Sequence, residues 1–232
     1  MASAAGRGAP KGALAFCGLI VARTTHRTIV YVDGFNLYYG ALRGTPFKWL
    51  DLDALFGKVL GPQNRLVKIK YFTALVQPTP TDPNVHVRQS AYLLALQAHC
   101  PLVEIYYGHF LRHQVTMEHA NPPPALVPVW KNEEKGSDVN LALHVLNDAW
   151  LGAYDCAVIV SNDSDLAQSL RMVKAQHQKV IGLVTPGAPL RKTSVQLRRH
   201  ADFLRPIHRG ALASNQLPDP IPSTTIRKPA GW

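Results

Sequence analysis

The sequence predicts an α/β domain with a mostly parallel central sheet and helices on both faces. Three observations predict it. Short β-branched apolar runs recur along the chain, clearest at residues 28–32 (TIVYV) and 156–160 (CAVIV). Segments with helical apolar spacing alternate with those runs, the pattern that builds parallel sheets. The chain has 232 residues, 47% of them apolar, enough for one such domain with a sizeable core.

The elements follow in order. Residues 28–32 read as a buried strand. Residues 35–42 and 51–60 read as helices, broken by Gly44-Thr45-Pro46 and by Gly61-Pro62. Residues 66–76 form the second strand, and residues 78–83 a loop rich in Pro and Thr. Residues 85–99 have helical spacing, with Ala91, Leu94, Ala95 and Ala98 on one face. Residues 102–107 give the third strand. Between residues 110 and 129 the pattern loosens, and two extended stretches, 111–116 and 126–130, read as a hairpin-like excursion. Helical spacing returns after Ser137, with Val139, Ala142, Leu143, Leu146 and Ala149 as the apolar stripe. A strand at 156–160, a helix at 165–176, a strand at 180–184, a short helix at 193–199 and a strand at 202–207 complete the domain.

The ends read differently. Residues 1–27 carry Arg7, Lys11, Arg23 and Arg27 and no acid. Their apolar stretch, 12–22, is too short to span a bilayer. An acid-poor leader of this kind suits a targeting segment, but the simpler expectation is a disordered extension. Residues 210–232 hold several prolines and little periodicity, and read as a flexible tail. The domain is therefore expected at residues 28–209.

The formal net charge is +10 and the pI about 9.7. That balance points to a polyanionic partner, nucleic acid first and an anionic membrane surface second. Cys17, Cys100 and Cys156 lie far apart with no CxxC spacing, which argues against a zinc site or a disulfide framework. A reducing, cytoplasmic setting follows as the expectation. There is no GxxxxGK[ST], GxGxxG or GxSxG run.

The acids are few and placed suggestively. Asp33 follows the first strand, Asp163 follows the 156–160 strand, Asp138 opens a helix and Asp165 stands two residues beyond Asp163. Ligands bind at the carboxyl ends of strands in open α/β sheets. Clustered carboxylates repel one another, and a hard divalent cation such as Mg²⁺ or Mn²⁺ relieves that repulsion. Each acid also has a structural reading. Asp33-Gly34 is a turn pair, and Asn36 can cap a helix. Ser137 is a good N-cap, with Asp138 beside it suiting the helix dipole. Asp165 with Gln168 has capping-box spacing. His144 and Asp148 lie four apart and read as a solvated pair.

The segments VDGFN (residues 32–36), KGSDVNLALH (135–144) and VSNDSDL (160–166) resemble the NYN domain family, a branch of the PIN-like ribonucleases. The resemblance covers about residues 28–209. It implies a Rossmann-like PIN fold, an acid cluster binding Mg²⁺ or Mn²⁺, and hydrolysis of RNA phosphodiesters. By position, Asp33, Asp138 and Asp163 become the central acids and metal ligands, with Asp165 as a further catalytic acid. Some relatives have Asp where this chain has His144, which bears on a second ion. Around that site Asn36, Lys135, Arg191, Lys192, Arg198 and Arg199 are expected to bind substrate, taken to be single-stranded RNA. Phe35, Tyr38 and Tyr39 are expected either to stack on a base or to pack in the core. The alternatives are a non-catalytic RNA-binding module of the same fold and a Mg²⁺-dependent phosphohydrolase of a small molecule.

Overall fold

The computed structural model describes residues 25–121, 125–187 and 192–232. In chain order, β1 (His26–Asp33) leads into α1 (Gly34–Leu37), which continues as a π-helical turn over Tyr38–Leu42. Then come α2 (Leu52–Val59), β2 (Asn64–Thr73), α3 (Val85–His99) and β3 (Val103–Tyr107). β4 (His109–Glu118) and β5 (Leu126–Lys135) form an antiparallel arm, followed by α4 (Ser137–Trp150) and β6 (Cys156–Val160). A 3₁₀ turn (Ser164–Leu166), α5 (Ala167–His177), β7 (Val180–Thr185), α6 (Val195–Arg198), β8 (Phe203–Pro206) and α7 (Arg209–Ser214) complete the chain.

The main sheet has the order β3-β2-β1-β6-β7-β8, and every pairing in it is parallel. Strand alternation sends β1 side chains to two cores. Val30 and Val32 join Leu52, Leu55, Phe56 and Leu96 on one face. Ile29 and Tyr31 join Leu141, Val145, Ile159 and Leu170 on the other. Each large side chain buried there contributes about 1.5–3 kcal/mol of apolar transfer. Cys100 and Cys156 are free and buried, and a buried free cysteine packs as a small apolar residue. No described helix is long and apolar enough to cross a membrane.

Two helix faces differ from the expected ones. In α3 the buried residues are Tyr92, Leu93, Ala95 and Leu96, while Leu94 is 53% exposed. Tyr92 can face inward because its hydroxyl donates to the Leu50 carbonyl at 2.9 Å. In α4 the buried residues include Leu141, Val145, Asp148 and Ala149, while Val139 and Leu143 are exposed. Asp148 turns the helix that way. Its Oδ2 lies 2.6 Å from Lys70 Nζ on β2 and accepts the Tyr31 hydroxyl at 2.7 Å. So His144 and Asp148 are not a solvated pair. His144 Nδ1 stands 3.2 Å from Lys70 Nζ. Burial, then the Lys70 charge, lowers the His144 pKa, so the neutral ring accepts from the ammonium.

The C-terminal segment also differs from the flexible tail expected. Leu217 and Ile221 are buried in the core, and Trp49 Nε1 donates to the Pro218 carbonyl at 3.1 Å. Trp232 packs edge-on against Trp49. The N-terminal extension, Cys17 included, lies outside the described residues up to residue 24. His26 and Arg27, expected to belong to it, are part of β1. Arg27 forms an ion pair with Asp155 at 2.9 Å.

Candidate active site

The chain runs from β1 outward to β2 and β3, then returns to place β6 on the other side of β1. The strand order therefore reverses between β1 and β6, and crevices for ligands open at such points. Asp33 ends β1 and Ser161 follows β6, and the two meet there. Asp33 is 5% exposed. Its Oδ1 accepts the Asn36 N–H at 2.9 Å and its Oδ2 accepts the Ser161 hydroxyl at 3.0 Å. The first bond makes Asp33 the cap of α1, so its structural reading holds alongside its place in the cleft. Gly34 is needed for space: a Cβ there would lie 2.7 Å from the Tyr71 ring and 2.8 Å from the Phe72 carbonyl.

Asp33, Phe35, Asn36, Tyr39, Gly40, Glu134, Asp138 and Asp163 line one cavity of about 300 Å³. The carboxylates there stand close enough to perturb one another. Burial pushes the Asp138 carboxyl up to about 7, with the charges of Asp33 and Asp163 as the next causes and those of Glu134 and Asp165 after them. Burial also raises Asp33, partly offset by its two hydrogen bonds. Among the described residues no three His, Cys, Asp or Glu side chains converge into a closed metal-ligand set. Mg²⁺ does not require one, because it keeps several waters and uses one or two carboxylates plus substrate phosphate. The hard-oxygen donors of this cleft, and the neighbouring negative charges that add to burial in lifting Asp138, fit such an ion.

The local caps differ from the expected ones. Gly136, at φ 93°, turns β5 into α4, and Ser137 does not cap that helix. Instead the Ser137 N–H donates to Glu134 Oε1 at 3.0 Å. Asp163, not Asp165, caps the 3₁₀ turn, its Oδ1 accepting the Asp165 N–H at 2.9 Å. Asp165 is exposed and does not line the cleft, and Gln168 accepts from Arg171 rather than closing a capping box. Glu134 was missed because it sits on β5, one residue before the segment that carries the family likeness. Its signal was an acid two residues ahead of Gly136 in a chain with few acids.

The expected substrate residues are dispersed. Asn36 Oδ1 accepts the Asn162 N–H at 3.1 Å, tying the β1 and β6 loops together across the cleft. The Lys192 carbonyl accepts from Asn162 Nδ2 at 3.3 Å, which sets that lysine beside the Asp163 loop. Lys135 pairs with Glu133 at 3.3 Å. Arg198 and Arg199 are exposed at the end of α6, and Arg191 lies outside the described residues. Tyr39 is 60% exposed at the cleft. Tyr38 meets it edge-on at 5.2 Å and faces a neighbouring cavity. His144 does not line the cleft.

The NYN domain model matches residues 27–207. The chain belongs to the NYN domain family. Its fold is accordingly the PIN-like α/β arrangement. A solved protein of unknown function from Vibrio parahaemolyticus RIMD 2210633 shares this fold, with a TM-score of 0.50 at 19% identity over 80% of this chain and 95% of that one. In sequence the chain is similar to the 6-hydroxy-3-succinoylpyridine 3-monooxygenase HspA of Pseudomonas putida (strain DSM 28022 / S16). It is 38% identical over 235 residues, covering 89% of this chain and 75% of HspA.

Proposed function

We propose that this protein is a metal-dependent ribonuclease that hydrolyses phosphodiester bonds in single-stranded RNA at the Asp33–Glu134–Asp138–Asp163 cleft. The observation that carries the reading is that these carboxylates line one cavity at the β1–β6 switch point of an NYN domain. Asp33, Asp138 and Asp163 would hold Mg²⁺ or Mn²⁺. When bound, the ion supplies Lewis-acid neutralisation of the charge that develops on the phosphate. Asp33 is held by Asn36 and Ser161, so it orients rather than moves. Asp163 commits Oδ1 to its own turn, which leaves its second oxygen for the ion. Asn36 fixes the spacing of the two loops. Lys192 supplies positive charge for a flanking phosphate. The net charge of +10 favours a polyanion over a small neutral substrate. Incubation of labelled single-stranded RNA with Mn²⁺ or with EDTA tests the reading. Cleavage with Mn²⁺ only, lost in Asp138→Asn, is the expected result. Intact RNA under both conditions refutes it.

A second reading is favoured by one observation, the 38% identity to a protein named as a monooxygenase of a hydroxypyridine acid. On that reading this chain incorporates one oxygen atom of O₂ into an aromatic acid, and an external electron donor reduces the other to water. Oxygen uptake with 6-hydroxy-3-succinoylpyridine and a reduced nicotinamide nucleotide tests it. The absence of uptake removes it.

A further inference from the structure

Beside the acidic cleft lies a larger cavity of about 430 Å³, within the size range of small-molecule sites. Phe35 and Tyr39 are common to the two. The larger cavity has aromatic walls, among them Tyr38, Tyr71, Tyr92 and Trp232. Its charged lining is mainly cationic: Arg43, Lys48 and Arg88 stand beside the neutral Thr73, Thr79, Thr81 and Gln89, and none of the three cations lines the acidic cleft. Its one acid, Asp82, is paired with Arg88. Arg43 lies over the Tyr39 ring at 5.3 Å and keeps its donors. Lys48 is half-buried and has no carboxylate or hydrogen-bond partner among the described residues. The Tyr71 hydroxyl, on a 6% exposed side chain, has no partner there either. Burial and the Asp33 charge hold it protonated, so it is a donor.

An aromatic slot closed by uncommitted cations suits a flat ring bearing a negative group. We propose that this cavity binds a small aromatic carboxylate, with its ring among Tyr38, Tyr71 and Tyr92 and its carboxylate on Lys48 and Arg43. The nucleotide arm of the test below separates this occupant from a base of bound RNA. The inference concerns binding alone and does not depend on what the acidic cleft catalyses.

Calorimetric titration of the full chain tests it, using nicotinate, benzoylpropionate, the neutral nicotinamide and cytidine monophosphate. At least one acid should bind saturably, at one site per chain, and quench indole fluorescence through Trp232. Nicotinamide should bind roughly tenfold more weakly than nicotinate, and Lys48→Gln and Arg43→Gln should each weaken the acids by a similar factor. Binding to Asp138→Asn should equal that of the wild type, which separates this site from the hydrolytic one. Equal affinity for acid and amide, acid binding unchanged in both lysine and arginine variants, or binding of the nucleotide alone would each overturn the proposal. The last outcome would make the cavity a base subsite.

Discussion

The Ser161 hydroxyl donates to Asp33 Oδ2 at 3.0 Å, across the seam where the strand order reverses. Ser161 Oγ in turn accepts the Asp163 N–H at 3.1 Å. One fully buried serine therefore links two of the cleft acids and fixes their separation. Ser161→Ala leaves a buried carboxylate oxygen and an amide without partners, at a cost of about 1–3 kcal/mol. The expected result is a lower melting temperature together with weaker Mn²⁺ binding. A variant that melts and binds like the wild type would show that this link is dispensable.

The metal-free protein should lose stability as pH rises through the acid range into neutrality. The Asp138 carboxyl sits at about 7 in the fold, above its ordinary 3.8. The folded state thus holds that proton more tightly than the unfolded state does. Its contribution is fully present below about pH 4 and is lost as pH rises through 7. Asp33, also raised, acts in the same direction. Asp155 opposes them: Arg27 lowers it to about 2, so its contribution is present above 3.8 and is lost as pH falls toward 2. In EDTA at pH 8, Asp138→Asn should melt above the wild type, and saturating Mn²⁺ should reverse the order. Melting curves across pH with and without metal check both signs.

Lys70 and Asp148 form a buried pair, with side chains 7% and 8% exposed. Lys70→Met strands the Asp148 charge against Tyr31 and should cost about 3–5 kcal/mol. Adding Asp148→Leu removes the stranded charge and should restore much of the loss. Urea denaturation of the single and double variants measures this. Equal stability of the two variants would show that the charge is relieved by other means.

These pairs explain what the sequence concealed. The strands and their order along the chain were legible, because residues 28–32 and 156–160 are apolar runs bounded by polar turns. The face of α4 was not. Apolar spacing marked Val139 and Leu143, yet a buried acid with a lysine opposite it on β2 outweighs two exposed aliphatic side chains. No periodicity in α4 encodes a partner residing on another element. Asp33, Asp138 and Asp163 were legible from motif order and do line one cleft. Glu134 arrives there through the β4–β5 arm, whose pairing a local reading cannot fix. The caps failed for a related reason. Asp163 and Asp165 offered the same side chain to the same turn, and only the backbone path decides which one accepts the amide.

That last distinction gives the acids different expected behaviour as variants. Asp165 is exposed, caps nothing and lies outside the cleft. Asp165→Asn should therefore keep both near-wild-type melting and near-wild-type RNA cleavage. Asp163→Ala removes a cap as well as a cleft carboxylate, so it should lose about 1 kcal/mol of stability and its cleavage together. Glu134→Gln preserves the oxygen that accepts the Ser137 N–H, and changes only the charge presented to the cleft. Its stability should hold while cleavage falls by about 10–100-fold, the usual cost of weakening support around a metal site. Rates at saturating Mn²⁺ and melting temperatures for the three variants decide the matter. Cleavage abolished by Asp165→Asn but untouched by Glu134→Gln would move the reactive centre out of this cleft toward the exposed 3₁₀ turn.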